Sequence, residues 1–167
     1  MKTSGINTVI ALALFTFCTL FFYSCSDKCK KVLCANEGIC IDGVCGCQPG
    51  FEGDDCSTKT QTKFLGTYNV ADNCSVTGNA LYTVNILADD SNHSQVYISN
   101  FNNDFAGNVR ATIGLSTIEI PPQYPDSDGR SVSGNGILSG SSTIIWNYTI
   151  SNPGNSTNSC NNSVWVK

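Results

Sequence analysis

The sequence predicts an all-β protein in two parts: a small disulfide-bonded module followed by an antiparallel β-barrel of roughly eight strands, with a β-sandwich as the alternative topology. Three observations predict it. Six cysteines crowd between positions 29 and 56. Residues 64–167 carry no helical stripe, only short β-branched and aromatic runs broken by Gly, Asn, Asp and Pro. A chain of 167 residues suits a small module plus one compact domain.

The chain opens as a targeting segment. Lys2 gives a positive start, and "VIALALFTFCTLFFY" (9–23) is an uncharged apolar run ending at the small Ser24. That run has signal-peptide length, whereas a membrane-spanning helix needs ~20 residues; a short signal anchor is the alternative. Cys18 leaves with the signal peptide, residues 1–24. Nine cysteines then remain in a compartment where thiols oxidise, and setting Cys25 aside leaves eight, enough for four pairs. Phe22-Tyr23-Ser24-Cys25 resembles a lipobox, with Ser24 the small residue before the cysteine and Phe22 and Tyr23 bulkier than is usual. The resemblance implies a bacterial lipoprotein whose Cys25 is the acylated first residue of a spacer, 25–28. Ordinary secretion with a spare thiol is the other reading.

Next comes "CKKVLCANEGICIDGVCGCQPGFEGDDC" (29–56), with a C-x4-C-x5-C-x4-C-x-C-x8-C spacing. So short a segment buries too little apolar surface to hold itself, and disulfides must do it. Spacing alone leaves 15 connectivities open. The spacing, the turn Asn36-Glu37-Gly38, and Gly50-Phe51 and Gly53 in the tail together resemble an EGF-like module. The resemblance implies Cys29–Cys40, Cys34–Cys45 and Cys47–Cys56. Zinc is disfavoured, because paired C-x2-C knuckles are missing and His93 is the chain's only histidine. The acidic motif and the hydroxylatable residue of calcium-binding EGF modules are missing too. No metal or other cofactor is expected, and the module reads as a spacer or contact surface.

"STKTQTK" (57–63) reads as a polar linker, and the barrel domain as 64–167. "LYTVNILA" (81–88) places Tyr82, Val84, Ile86 and Ala88 on one face, and "STIIWNYTI" (142–150) does the same with Ile144, Trp146, Tyr148 and Ile150. "QVYISNF" (95–101) and "NVRATI" (108–113) alternate as well. Adding 64–71, 116–120, 131–138 and 160–166 completes roughly eight strands. Between them lie "ADDSNHS", "NNDFAGN", "PPQYPDSDG" and "SNPGNSTNS", all turn chemistry. The Asn, Ser and Thr richness suits an exported β-protein and is not itself a site. Cys74, after the first strand, and Cys160, opening the last, remain to pair with each other. "FLGTYNVADNC", "YTVNI", "VYISNF", "TIEIPPQ", "SGNG" and "SCNNSVWV" are similar to small lipocalin-like domains of Gram-negative surface lipoproteins. That similarity implies an outer-membrane location.

The chemistry is sparse. With a charge of −4 and no cluster of Lys or Arg, a nucleic-acid surface is excluded. No phosphate loop or Gly-x-Ser-x-Gly occurs. His93 sits in a polar turn and reads as solvated, Asp89 and Asp90 as turn residues, and Asp126-Ser127-Asp128-Gly129 lacks the downstream Glu of a calcium loop. No catalytic residue is expected, and the protein reads as non-enzymatic. The expected function is that of a lipid-anchored binding or interaction protein, held to the membrane at Cys25. Its partner would be a protein, a glycan or a small apolar ligand. The interior should be filled by Tyr82, Val84, Ile86, Ile144, Trp146 and Tyr148, and binding should fall on Phe105 and Tyr124 in the loops. The alternative is a carrier with a small hydrophobic ligand inside the barrel.

Overall fold

The computed structural model describes residues 28–154 and 156–167. The signal peptide, Cys25 and all but the last residue of the spacer lie outside the described residues. The N-terminal module consists of two small sheets. β1 (Ile39–Ile41) pairs with β2 (Val44–Gly46) across the turn Asp42-Gly43, a sequence suited to a two-residue hairpin. β3 (Phe51–Glu52) pairs with β4 (Thr58–Lys59). Three disulfides staple these pieces: Cys29–Cys40, Cys34–Cys45 and Cys47–Cys56.

The expected linker is not free chain. Its first residues form β4, and Thr60–Lys63 make a 3-10 turn in which Thr60 and Gln61 are buried. The Thr60 N–H donates to the Gly50 carbonyl at 2.9 Å, and Lys63 Nζ lies 2.6 Å from Glu52 Oε2. Two further contacts reach the other domain: the Phe51 ring meets His93 edge-on at 5.3 Å, and Gly50 packs against the His93 backbone. His93 is therefore a contact joining the two parts, not the solvated turn residue its polar neighbours suggest.

The second part is a closed eight-stranded barrel. Its strands are β5 (Gly66–Cys74), β6 (Gly78–Ala88), β7 (Gln95–Ser99), β8 (Val109–Ile113), β9 (Thr117–Gln123), β10 (Ser131–Ser139), β11 (Thr143–Ser151) and β12 (Thr157–Val166). Each pairs antiparallel with the next, and β12 returns to β5 through Cys160↔Cys74, Val164↔Ala71 and Trp165↔Val70. Register shifts in β10, in β11 against β12 and in β12 against β5 supply the local bends a small barrel needs to close. The Cys74–Cys160 disulfide crosses the closing seam.

Alternation decides what fills the interior. Tyr68, Val70, Val84, Ile86, Ile144, Trp146, Tyr148 and Trp165 are all buried. The two indoles lie 5.0 Å apart between centroids, and Phe101 from the loop after β7 packs 5.8 Å from Trp165. Room for Trp146 comes from its register partner Gly136: a Cβ there would lie 2.8 Å from the indole. The barrel holds its own side chains down its axis.

Candidate functional site

The turns after β6, β8 and β10 lie at one end of the barrel with the EGF-like module, and the loops after β5, β7, β9 and β11 lie at the other. The far end is where loop length accumulates. The 100–108 loop carries Asn100, Asn102 and Asn103 in the left-handed region, which asparagine tolerates better than most residues. Asn100 Nδ2 fastens the loop by donating to the Thr83 carbonyl at 2.7 Å. This bend drives Phe101 into the barrel mouth, where its ring meets Tyr148 at 4.8 Å.

Beneath Phe101 lies a buried polar cluster. Tyr82 and Tyr148 both donate to Asp72 Oδ2 at 2.5 Å, and the Tyr148 hydroxyl lies 3.1 Å from Asn102 Oδ1. Burial raises both phenols well above their ordinary range, so they remain protonated donors. Asp72 is 4% exposed, and its Oδ1 has no protein partner. Trp146 Nε1, Trp165 Nε1 and Ser163 Oγ are likewise buried without one. The Asp72 carboxylate lies near the sulfurs of Cys74 and Cys160, but both are spent in a disulfide and are not available as metal-binding thiolates.

Two loops are laced together above this cluster. Asp126 accepts the N–H groups of Ala106 and Gly107, at 3.1 and 2.7 Å. Arg130 pairs with Asp104, with Asp126 at 3.7 Å and with Asp128 at 2.5 Å, while its guanidinium sits 4.6 Å from the Phe105 ring centroid. The Arg130 N–H and side chain hold the Asp128 carboxyl below its usual range. One arginine thus meets three carboxylates, and the Asp126–Asp128 stretch serves as a loop clasp.

The expected loop aromatics separate. Tyr124 is 71% exposed at the barrel's far end. Phe105 is 3% exposed, so it cannot offer its ring to a partner; the loop folds back and buries it between Phe101 and Arg130. Sequence reasoning passed over Asp72, although strand parity in "TYNVADNC" puts it on the inward face with Tyr68, Val70 and Cys74. Asp89, by contrast, has the expected turn role, accepting from Ser91 and from the Asn92 N–H.

A family model described as a teneurin-like EGF domain matches residues 25–59. The match takes in β4, in keeping with a module that ends after Lys59. Curated proteins yield no match. Solved structures that resemble the chain include the following two. One is a redesigned beta barrel, b11L5F_LGL, at 12% identity and TM-score 0.46, covering 65% of this chain and 94% of that one. The other is EF1p2_mFAP2b bound to DFHBI, at 12% identity and TM-score 0.47, covering 65% and 97%. The chain combines an EGF-like module, matched by that family model, with the closed antiparallel barrel given by its strand order.

Proposed function

We propose that this chain is an exported, lipid-anchored, non-enzymatic binding protein of a Gram-negative outer membrane. Acyl chains on Cys25 hold it, the EGF-like module spaces the barrel from the membrane, and the barrel binds through its outer surface and far-end loops. Its partner is a macromolecule or glycan outside the barrel, and no cofactor is involved. The observation that carries the reading is the occupied interior: Tyr68, Phe101, Trp146 and Trp165 are each fully buried where a carrier would hold its ligand.

Two experiments test it. Metabolic labelling with a fatty-acid analogue should mark the wild type and miss Cys25→Ala, since stable anchoring takes two or more chains. Equal labelling of both would defeat the anchor. Native mass spectrometry of protein extracted from its own membrane should give the mass of the acylated chain alone.

A second reading, a carrier, has one observation in its favour. Asp72 Oδ1, Ser163 Oγ and the two indole N–H groups are buried and unpartnered, and such groups are normally met by protein, water or ligand. On the carrier reading their partner is a small molecule bearing hydrogen-bonding groups, not a purely apolar one. A stoichiometric molecule released only on unfolding would establish the carrier.

A further inference from the structure

Six adjacent strands, β9 to β12 with β5 and β6, contain only two charged residues, and one of them, Asp72, points inward. The outer wall they form carries a single charge, Glu119. Soluble surfaces ordinarily intersperse both signs of charge; this wall is solvated by amides and hydroxyls instead.

Register sorts those side chains into rows. Glu119, Asn135 and Asn147 are successive partners on β9, β10 and β11. Asn162, left-handed at the irregularity in β12, joins the row through its N–H, which donates to Asn147 Oδ1 at 2.9 Å. The neighbouring row runs Thr117, Ile137, Ile145, Val164, Ala71 and Leu81. Ile137 is 60% exposed and Leu81 84%. A groove of about 630 Å³ is lined by members of both rows. Beyond the seam a second groove, of about 510 Å³, repeats the chemistry with Asn73 and Asn79 beside Ala71 and Leu81.

We propose that this wall binds a linear, neutral glycan laid across the strands. The proposal deepens the reading of the barrel as a scaffold that works from its exterior, and rests on it. Each amide offers a donor and an acceptor to a hydroxylated ligand, and the aliphatic row offers apolar contact to the C–H faces of sugar rings. An almost uncharged wall gives an acidic or basic partner nothing to pair with. Spacing favours the glycan too. Strands lie about 4.8 Å apart, close to the repeat of a pyranose unit, whereas an extended peptide advances about 3.3 Å per residue and loses step with the row.

The test titrates the isotopically labelled mature protein with cellohexaose, xylohexaose and laminarihexaose, with an acidic galacturonan hexamer as comparison, following backbone amide signals. At least one neutral chain should give saturable shifts confined to β9–β12 and the adjoining β5–β6 wall, unaltered by added salt. Asn135→Ala combined with Asn147→Ala should weaken binding by about tenfold or more through the lost hydrogen bonds. Arg110→Ala, an exposed change on β8 outside this wall, should leave it unchanged. Both variants change exposed side chains, and unshifted core signals would establish that the fold is intact. Ile137→Ser, which leaves the amide row whole, should also weaken binding. No saturable shift with any neutral chain would overturn the proposal, as would binding of the acidic chain alone, loss on Arg110→Ala, or self-association through this wall. Failure here leaves the labelling and mass-spectrometry tests untouched, whereas a molecule released from the barrel interior would defeat the exterior-scaffold reading itself.

Discussion

Cys74 and Cys160 are register partners on the first and last barrel strands, bonded to each other with their Cα atoms 3.9 Å apart. Their disulfide lies where an up-and-down meander must close on itself. The bond spans a sequence separation of 86, so it removes much of the denatured chain's freedom. The same seam also pairs Val164 with Ala71 and Trp165 with Val70. The fold should therefore survive loss of the bond, with a lower stability.

Replacing both Cys74 and Cys160 by Ala should lower stability by on the order of 4–5 kcal/mol on the chain-entropy account. Guanidinium unfolding of the double variant against wild type reads this directly. An unchanged midpoint would mean that strand pairing alone holds the seam.

Gly136 faces the most crowded part of the interior. A methyl group there would lie 2.8 Å from Trp146 Cδ2 and 2.9 Å from both Ile118 Cγ2 and Ile144 Cγ2. Gly136→Ala should cost about 1–3 kcal/mol through overpacking. Thermal unfolding measures the loss, and a shifted Trp146 indole signal in NMR spectra locates it. A variant as stable as wild type would show that the interior has slack, which would favour the carrier reading.

Three tyrosines set the alkaline limit. Burial raises the phenols of Tyr68, Tyr82 and Tyr148 above the unfolded value of about 10. A raised pKa means the folded state keeps protons that the unfolded state releases, so stability is full below about pH 10 and falls as pH rises. Each fully buried phenol contributes a slope of about 1.4 kcal/mol per pH unit there, and the partly exposed Tyr82 less. Denaturant titrations at stepped alkaline pH should show the decline, and Tyr148→Phe should make it shallower. A flat profile would show that the phenols ionise in place.

Much of the barrel was legible in the sequence because alternation survives where one face is buried. Tyr82, Val84 and Ile86, and likewise Ile144, Trp146 and Tyr148, point inward as their spacing predicts. The ends of strands were harder to read. The strand read over 64–71 runs instead from Gly66 to Cys74, because Asp72, a charged residue on the inward face, masks the alternation. Phe105 looked stranded in a polar loop, and nothing local signals that Arg130 will fold over its ring. Residues 57–63 look like a linker because a two-residue strand and a 3-10 turn have no periodicity, yet Gln61 is 2% exposed. The asparagines of the outer wall are visible as composition, but only pairing between distant strands makes them a row.

The junction between the two parts turns on one glycine. Gly50 has φ +92, and a Cβ there would lie 2.5 Å from the His93 carbonyl carbon, 2.7 Å from its oxygen and 2.8 Å from Ser94 N. Those are backbone atoms, fixed in a turn that Asp89 caps, so they cannot yield as a flexible side chain could. Gly50→Ala should push the module off the barrel, breaking the edge-on contact of Phe51 with His93. Gly53 supplies the control: its φ is +94, but a Cβ there would meet nothing nearer than Thr58 Oγ1 at 3.5 Å. Gly53→Ala should therefore cost only the backbone strain of roughly 1–2 kcal/mol, whereas Gly50→Ala should add the loss of the junction. Hydrogen exchange at residues 60–63 and 92–95, with the His93 ring signals, separates the two. Protection should fall and the ring signals should move in Gly50→Ala alone. The same response in both variants would mean that the module is held by its disulfides and β4, and that Gly50 matters only for its turn.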